Sequence, residues 1–324
     1  MNPLSWLKLG QIFDPTEHQL PNGCREFAQS PQVLVFDDFV RVYFSTRSVD
    51  TPGSFVSHIA YVDMDSSFSR VLRVADAPVF TSADLGTFDE HGIFPVNLVR
   101  HDGRVLAYTC GWSRRSSVPV ETAIGLAESH DEGRTFVRHG SGPVLTASLH
   151  QPFLVGDPFV QVMSGTWHMW YIFGERWIPN AESDGSAARV YKIAHATSKD
   201  GVLWLKDARA IVDDRLGPDE CQALPTVLSF GGKHHMFFCY RHATDFRRNR
   251  KRGYRLGYAF STNLVSWERA DELAGIELSE TGWDCDMMCY PHLVRARENV
   301  FLLYNGNEFG RRGFGAAILR PGET

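Results

Sequence analysis

Carboxylic acids occupy one position of a repeated sequence pattern, and residues of this type at this spacing can provide acid–base chemistry. The pattern starts at five prolines that follow one another at intervals of 63 to 67 residues: Pro31, Pro95, Pro158, Pro225 and Pro291. The residues five positions before these prolines are Glu26, Glu90, Phe153, Glu220 and Asp286, and Asp157 directly precedes the third proline. Carboxylates gathered in one ring raise one another's pKa, which allows a general acid and a general base to coexist near neutral pH. We therefore expect the five acids to form one catalytic ring.

Two other interpretations of these acids remain open. An acid near the start of a strand also caps turns or accepts hydrogen bonds from backbone N–H groups. A ring of acids can also hold Ca²⁺ at its axis. We expect no metal and no cofactor, because the ligands for such an ion would have to come from widely separated units of the repeat.

The spacing of the prolines predicts the elements that position the acids. Behind each proline an apolar run, a turn and a second apolar run lead to a tyrosine 12 to 15 residues later: Tyr43, Tyr108, Tyr171, Tyr240 and Tyr304. The third unit continues with RVYKIAHATS, a Lys-Asp-Gly turn and VLWLKDARAIV, and so contains four strands. Four-stranded hairpin units at a fixed period indicate blades around an axis. The sequence predicts an all-β, five-bladed β-propeller with four antiparallel strands per blade.

The two ends of the chain predict how the ring closes. The fifth unit has only three strands after its proline, and the N-terminal segment LSWLKLGQIF resembles the outermost strand LWLKDARAI of the third unit. We expect residues near Trp6 to Phe13 to complete the last blade, which removes a free strand edge. On this interpretation residues 1–324 form a single propeller domain.

The second strand of each blade returns to the mouth where the acids lie, so the residues behind the tyrosines are expected to line the rim. Aromatic faces, amides and guanidinium groups beside carboxylates suit a carbohydrate, which offers C–H faces and hydroxyl groups. The two tryptophans of this set could instead be core residues between blades. The candidate substrate-binding residues are Arg47, His91, Trp112, Trp177, Arg241, Tyr290, Asn305 and Asn307.

The composition narrows the classes of partner. The sequence has no Walker or dinucleotide-binding glycine pattern. The net charge of −5 argues against nucleic acid as a main partner. No apolar stretch has the length of a membrane span, and the first residues lack the features of a signal peptide. The six cysteines form no CxxC pair, which favours free thiols in a reducing compartment. We expect a cytoplasmic protein without a membrane span.

The repeat resembles the propeller glycosidases of families 43, 32, 62 and 68 and the family 130 mannoside phosphorylases. The stretches TAIGLAESHDEGRTF and LLYNGNEFGRRGFGAA are also similar to bacterial propeller proteins described as glycosylases and associated with surface-polysaccharide gene clusters. The family 43 resemblance implies that Asp157, in an Asp-Pro pair, orients the site and that Glu220 is the general acid. The base of that family also lies in an Asp-Pro pair, whereas this chain has Ser30-Pro31 there.

Three functions are compatible with these features. The first is a glycoside hydrolase with carboxylates on either side of an oxocarbenium-like transition state, acting on a small-molecule or oligosaccharide substrate. The second is a glycosyltransferase or phosphorylase that uses a phosphate-bearing donor such as a sugar phosphate or nucleotide sugar. The basic run from Arg247 to Arg252 is expected to lie beside the pocket and would neutralise such a donor. The third is a non-catalytic sugar-binding propeller.

Overall fold

The computed structural model describes residues 2–181 and 185–320, and within them the strands form five antiparallel sheets of four. Strand β1 is Trp6–Phe13. Blade 1 contains β2 (Gln29–Val35), β3 (Phe39–Val49), β4 (Phe55–Asp65) and β5 (Val71–Val74). Blade 2 contains β6 (Ile93–His101), β7 (Arg104–Arg114), β8 (Val120–Ser129) and β9 (Val137–Arg138). Blade 3 contains β10 (Val155–Met163), β11 (Thr166–Ile178), β12 (Ala188–Ser198) and β13 (Trp204–Lys206).

The last two blades complete the ring. Blade 4 contains β14 (Glu220–Phe230), β15 (Lys233–His242), β16 (Arg255–Ser261) and β17 (Glu268–Arg269). Blade 5 contains β18 (Cys289–Ala296), β19 (Asn299–Asn305), β20 (Phe314–Leu319) and, as its outer strand, β1. The helical segments are short: Pro15–Glu17, Pro21–Gly23, Arg250–Arg252, Asp271–Leu273 and α1 (Asn307–Gly310). The protein is a five-bladed β-propeller closed by its N-terminal strand, as the sequence predicts.

Each repeat proline marks a β-bulge in the innermost strand of its blade. In all five inner strands the pairing register shifts across the proline, for example between Gly156 and Phe159 in β10. In four blades the residue before the proline has a positive φ: Ser30, Asp157, Leu224 and Tyr290. In blade 2 the Phe94–Pro95 peptide bond is cis instead. A bulge changes the direction of one side chain. The side chain before each proline therefore points in a different direction from that expected of a regular strand.

Polar side chains join the inner strands of neighbouring blades to one another. The backbone N–H of Val33 donates to His292, which links blade 1 to blade 5 at 3.1 Å. The N–H of Val160 donates to Asn97 at 2.8 Å and so links blade 3 to blade 2. These side chains are buried, and a buried polar group that finds its partner holds one arrangement. These bonds hold the inner strands of neighbouring blades together.

Two of the repeat tyrosines connect neighbouring blades near the outside of the ring. Tyr43 of blade 1 donates to the carbonyl of Gly133 in blade 2, and Tyr108 of blade 2 donates to the carbonyl of Gly201 in blade 3. Both glycines lie in turns between the third and fourth strands of a blade; in the first of these turns Asp131 accepts backbone N–H bonds at 2.9 to 3.0 Å. The segments SHDEGRTF (129–136) and SKDG (198–201) therefore form structural turns.

Closure by β1 makes the fold sensitive to Trp6. The Trp6 indole N–H donates to the carbonyl of Ala274 at 2.9 Å, and only 8% of the residue is exposed. We expect Trp6→Ala to lower the free energy of unfolding by about 3–5 kcal/mol, the usual cost of removing a buried tryptophan. Leu7→Ala on the same strand is the control: Leu7 is 51% exposed, so its loss should cost less than about 0.5 kcal/mol. Equal denaturation midpoints for the two variants would contradict closure by this strand.

Candidate functional site

A cavity of about 1110 Å³ lies on the propeller axis, at the mouth where the inner strands begin. We refer to it as the axial cavity. Every blade contributes to its wall, through residues such as Arg47, Trp112, Arg189, Phe246 and Tyr290. Of the candidate residues from the sequence, the wall includes Arg47, Trp112, Trp177, Arg241, Asp286 and Tyr290. A volume of this size is in the range of a site for a small organic ligand.

Two of the pre-proline residues, Phe94 and Tyr290, line this cavity. Phe94 of blade 2 and Tyr290 of blade 5 belong to blades that are not neighbours, yet their ring centroids are 5.4 Å apart. Asp157 of blade 3 accepts a hydrogen bond from the backbone N–H of Leu224 in blade 4. Contacts of this kind are possible only close to the axis. The ring at the axis is therefore formed one residue before each proline, and not five residues before it as the sequence analysis expects.

Asp157 is the carboxyl of this ring. Its Oδ2 accepts the Leu224 N–H at 3.3 Å, while Oδ1 makes no hydrogen bond to a described residue. Burial raises the pKa of Asp157 to about 7, although that hydrogen bond and the charge of Arg189 act in the opposite direction. Its φ of 49° is uncommon for a residue with a side chain. A carboxyl that titrates near neutrality has the properties of a general acid–base group. Asp157 does not itself line the axial cavity, but the charge of the wall residue Arg189 acts on it.

Glu220 does not reach the axial cavity, which corrects its expected place in the acid ring. Its side chain points toward the outer strand of blade 4 and pairs with Arg269 at 2.5 Å. The backbone N–H groups of Arg215 and Leu216 each donate to its Oε2 at 2.8 Å. None of its surface is exposed. Glu220 is the first residue of β14, and the alternation of the strand directs its side chain away from the axis.

The remaining acids of the expected ring are also dispersed. Glu26 lies at the rim, where it receives two hydrogen bonds from Arg311 at 2.9 and 3.0 Å. Glu90 lies in a separate pocket between blades 1 and 2, together with His91. Asp286 alone of the four acids placed five residues before a proline belongs to the wall of the axial cavity, where it pairs with Arg250. The expected convergence of the five acids on one pocket is therefore wrong.

The burial of Glu220 makes its structural role testable. Glu220→Gln keeps an oxygen for the two backbone donors but removes the charge that faces Arg269. We expect a loss of about 3 kcal/mol in the free energy of unfolding, the low end for a broken buried ion pair, because Asp271 still pairs with Arg269. Ligand affinity of the folded variant should be unchanged. A variant as stable as the parent protein but without turnover would instead place Glu220 at the substrate.

Arg47 presents a positive charge to the axial cavity without a counter-charge. Its guanidinium carbon lies 4.3 and 4.2 Å from the ring centroids of Phe27 and Phe55, which enclose it from two sides. It makes no hydrogen bond or ion pair with any residue that the structure describes. Burial lowers the pKa of Arg47, with only the nearby Tyr290 hydroxyl acting against it. The two rings hold the guanidinium in place and leave its N–H groups available to a ligand.

Arg241 is a buried cation with neutral partners only. The residue is 3% exposed, and its side chain stacks 3.5 Å from the centroid of Phe246 and donates to the Tyr191 hydroxyl at 2.8 Å. Its Nη1 donates to the carbonyl oxygens of His242 and Ala243. The buried Nε has no hydrogen-bond partner among the described residues. A buried charge that lacks an opposite charge is costly, and Arg241 lies in the wall of the axial cavity.

The axial cavity as a whole is rich in arginine. Arg189, from the start of β12, also belongs to the wall and forms no ion pair within the described part of the chain. The basic run contributes Arg247, Arg248 and Arg250, so it hangs over the pocket as the sequence predicts. In total the described residues of the wall include seven arginines and three acids, namely Asp245, Asp286 and Glu308. This is a local excess of positive charge in a chain whose net charge is −5.

The other candidate residues divide between the wall and the scaffold. Trp112 is 9% exposed and forms a ring contact with Phe55, and Trp177 also faces the axial cavity. Asn305 is fully buried: it accepts the N–H of Ser30 at 2.7 Å and so joins blade 5 to blade 1. Asn307 accepts the N–H of Asp286 at 2.8 Å and thereby positions that carboxylate. The two asparagines act on the scaffold rather than on the cavity surface.

The described residues contain neither a group of metal-ligating side chains nor a membrane-spanning helix. Within residues 2–181 and 185–320, no group of three or more His, Cys, Asp or Glu side chains is placed to hold a metal ion. The Ca²⁺ interpretation of the acid ring lacks its ligands, because the ring does not form. All six cysteines are free thiols. No helix in the part of the chain that the structure describes has the length and apolar character needed to span a bilayer.

Known structures place this architecture among the glycoside hydrolase propellers. The structure of a BT0996 RGII complex aligns with a TM-score of 0.73 and 16% identity, over 99% of this protein and 93% of that one. A structure from the GH130 family of mannoside phosphorylases, which contains hydrolases of β-1,2 mannosidic linkages in Candida mannan, aligns with a TM-score of 0.68 and 14% identity. It covers 98% of this protein and 94% of that one. The fold is that of a glycosidase-like propeller.

Sequence comparison identifies closer relatives. Two Mycobacterium tuberculosis proteins, MT1551 of strain CDC 1551 and Rv1502 of strain H37Rv, are each 31% identical to this chain over 322 residues. The match covers 98% of this chain and 99% of each relative. No family model matches the sequence. The chain belongs to the family of these two mycobacterial proteins.

Proposed function

We propose that the protein is a carbohydrate-active enzyme that transfers a glycosyl group and binds a phosphate-bearing sugar in its axial cavity. The observation that carries the proposal is the set of three wall arginines that form no ion pair with a described residue: Arg47, Arg189 and Arg241. Of the three functions considered from sequence, this one accounts for a cationic cavity. A site for neutral glycosides alone would not require it.

Guanidinium groups without an opposite charge destabilise the cavity wall. A guanidinium removed from water loses solvation, and it regains stability only from an opposite charge or from hydrogen-bond acceptors. Among the described residues Arg241 has only neutral acceptors, and Arg47 contacts only aromatic rings. A phosphate group supplies both the charge and the acceptor oxygens that guanidinium groups match in geometry. The uncompensated charge of the wall therefore corresponds to an anionic ligand.

The sugar-directed part of the proposal rests on wall residues and on Asp157, which interacts with the wall residue Arg189. Trp112 and Trp177 offer aromatic faces on which the C–H face of a sugar ring stacks. Asp157, with its pKa raised to about 7, is the residue to which we assign proton transfer at the glycosidic oxygen. Asp286 is assigned to hydroxyl binding. The glycosidase-like fold is consistent with this chemistry, although a fold by itself hosts many functions.

Hydrolysis remains the second candidate, and Asp157 is the observation that favours it. A carboxyl that is half protonated near neutral pH can assist a water molecule as well as a sugar acceptor. The two reactions differ in their products, since transfer consumes an acceptor and hydrolysis consumes water. A sugar-binding propeller without activity would give neither product.

A turnover assay separates these functions. The protein is incubated with hexose 1-phosphates and nucleotide sugars, with and without a mixture of monosaccharide acceptors, and phosphorus NMR follows the phosphate species. We expect consumption of a phosphate-bearing donor that depends on an acceptor. Consumption without any acceptor would establish hydrolysis. Saturable binding without consumption under either condition would contradict an enzymatic function.

A further inference from the structure

A second, smaller pocket lies beside the axial cavity between blades 1 and 2. We refer to it as the side pocket; it has a volume of about 110 Å³ and is lined by residues that include Asn22, Ser57, His58, Thr81, Glu90 and His91. Ser57 also belongs to the wall of the axial cavity, so the two pockets adjoin at this residue. The His91 ring contacts Trp112 with centroids 5.5 Å apart, and Trp112 faces the axial cavity. The two pockets therefore share Ser57 and adjoin beside the His91–Trp112 pair.

The polar groups of the side pocket are only partly used by the protein. The Nδ1 of His91 accepts the backbone N–H of Arg114 at 3.4 Å, which leaves the proton on Nε2. The Nε2 of His58 bonds the Ser48 hydroxyl at 2.8 Å. Glu90 uses Oε2 to accept the N–H of Gly86 at 3.1 Å. His91 Nε2, His58 Nδ1 and Glu90 Oε1 make no hydrogen bond to a described residue.

The lining of the side pocket does not share the excess of positive charge of the axial cavity. Its one arginine, Arg138, pairs with Asp89 at 2.8 Å and also donates to the carbonyl of Thr81. Burial lowers the pKa of His58, so its ring is neutral at physiological pH. Glu90 is the carboxylate of the lining that is not paired with an arginine of the described residues. A carboxylate and two imidazoles provide acceptors and donors for hydroxyl groups, and they disfavour an anion.

Backbone contacts fix blade 1 against the start of blade 2 beside the side pocket. The backbone N–H of Ser57 donates to the carbonyl of His91 at 3.0 Å, which joins β4 to the segment before β6. Gly92 has a φ of 113°, and a Cβ atom at this position would overlap the carbonyl oxygen of Ser57. The close approach requires glycine. His91 is therefore fixed relative to the axial cavity before any ligand binds.

We propose that the side pocket is an acceptor subsite, which binds a neutral, hydroxyl-bearing sugar next to the phosphate-bearing sugar of the axial cavity. The inference rests on the proposed function and specifies its second substrate. A cationic pocket and a neutral hydroxyl-binding pocket in contact with each other suit transfer between two sugars. Glu90 and His91 act here as binding residues for the acceptor, which gives these two candidates from the sequence a role away from the axis.

The test uses methyl glycosides of glucose, galactose and mannose as probes. Carbon–proton correlation spectra of the histidine rings report on His58 and His91 directly during titration. We expect at least one glycoside to shift both rings saturably, and Glu90→Gln and His91→Phe to weaken its binding about tenfold or more, the value of one charge-assisted hydrogen bond. His91→Phe keeps the ring contact with Trp112. His130→Gln, at an exposed position in blade 2, is the matched control and should bind as the parent does.

The outcome separates this inference from the proposed function. The shifts should persist in the Arg47→Gln/Arg189→Gln double variant, which we expect to lose the anionic ligand. No ring shift with any of the three glycosides, or equal binding by Glu90→Gln and the parent protein, would overturn the acceptor subsite. Shifts from glycosides in a protein that binds no phosphate-bearing sugar would overturn the donor–acceptor assignment and the proposed function, while the side pocket would remain a sugar site.

Discussion

Replacing Arg47 and Arg189 together by glutamine should weaken the binding of a phosphate-bearing sugar about a hundredfold or more. Each residue lines the axial cavity and forms no ion pair within residues 2–181 and 185–320. One charge-assisted hydrogen bond contributes on the order of 1.5–3 kcal/mol. The binding of a neutral glycoside should change little. Fluorescence titration measures both affinities, since Trp112 and Trp177 lie in the same wall.

The control for this prediction is an arginine outside the cavity. Arg73 lies on the outer strand of blade 1, where it pairs with Asp76 at 3.0 Å, and Arg73→Gln changes the net charge of the chain by one unit. It should leave both affinities as they are. If the double variant lost affinity for neutral and charged ligands equally, the two arginines would be parts of the scaffold and not an anion site.

Asp157→Asn should change both the stability of the protein and its activity. Because burial raises the pKa of Asp157 to about 7, the native state holds this proton more tightly than the unfolded chain, where an aspartate titrates near about 3.9. The stabilising contribution is therefore complete below about pH 4 and is lost as the pH rises through about 7, a decline of about 4 kcal/mol. Asparagine resembles the protonated side chain and does not titrate, so this decline should disappear.

The measurement is chemical denaturation at a series of pH values between about 4 and about 8. At the upper end Asp157→Asn should be more stable than the parent protein, while its turnover should fall by about 10² to 10⁴-fold, as expected for a lost acid–base group. Asp38→Asn, an exposed position in the turn after β2, is the control and should follow the parent curve. An unchanged pH dependence in Asp157→Asn would mean that another group titrates.

The sequence was sufficient to predict the blades because their determinants are local and repeated. Each inner strand carries its own proline, and four of the repeat tyrosines are completely buried: Tyr43, Tyr108, Tyr171 and Tyr304. Closure by β1 was predictable for the same reason, since this strand resembles the outer strands of other blades. The same four-stranded unit occurs five times. The pattern within one unit is therefore enough to predict the architecture.

The catalytic ring was not predictable by counting, because the direction of a side chain depends on the bulge. The five-residue offset places Glu220 at the first residue of β14, where it faces Arg269, while the bulge directs Asp157 and Tyr290 to the axis. The position directly before each proline is the feature of the sequence that could have predicted the ring. Arg189 has no such signal: it lies at the start of a third strand, and only the assembled ring brings it close to Asp157.

The central claim is that the axial cavity binds an anionic sugar, and paired titrations test it most directly. The tryptophan fluorescence of the parent protein is followed during addition of a hexose 1-phosphate and, separately, of the methyl glycoside of the same hexose, at low and high salt. The account predicts that for at least one hexose the phosphate-bearing sugar binds far more tightly, and that added salt weakens this binding by screening the arginines. Binding of the neutral glycosides that is as tight as that of their phosphates and insensitive to salt would contradict it.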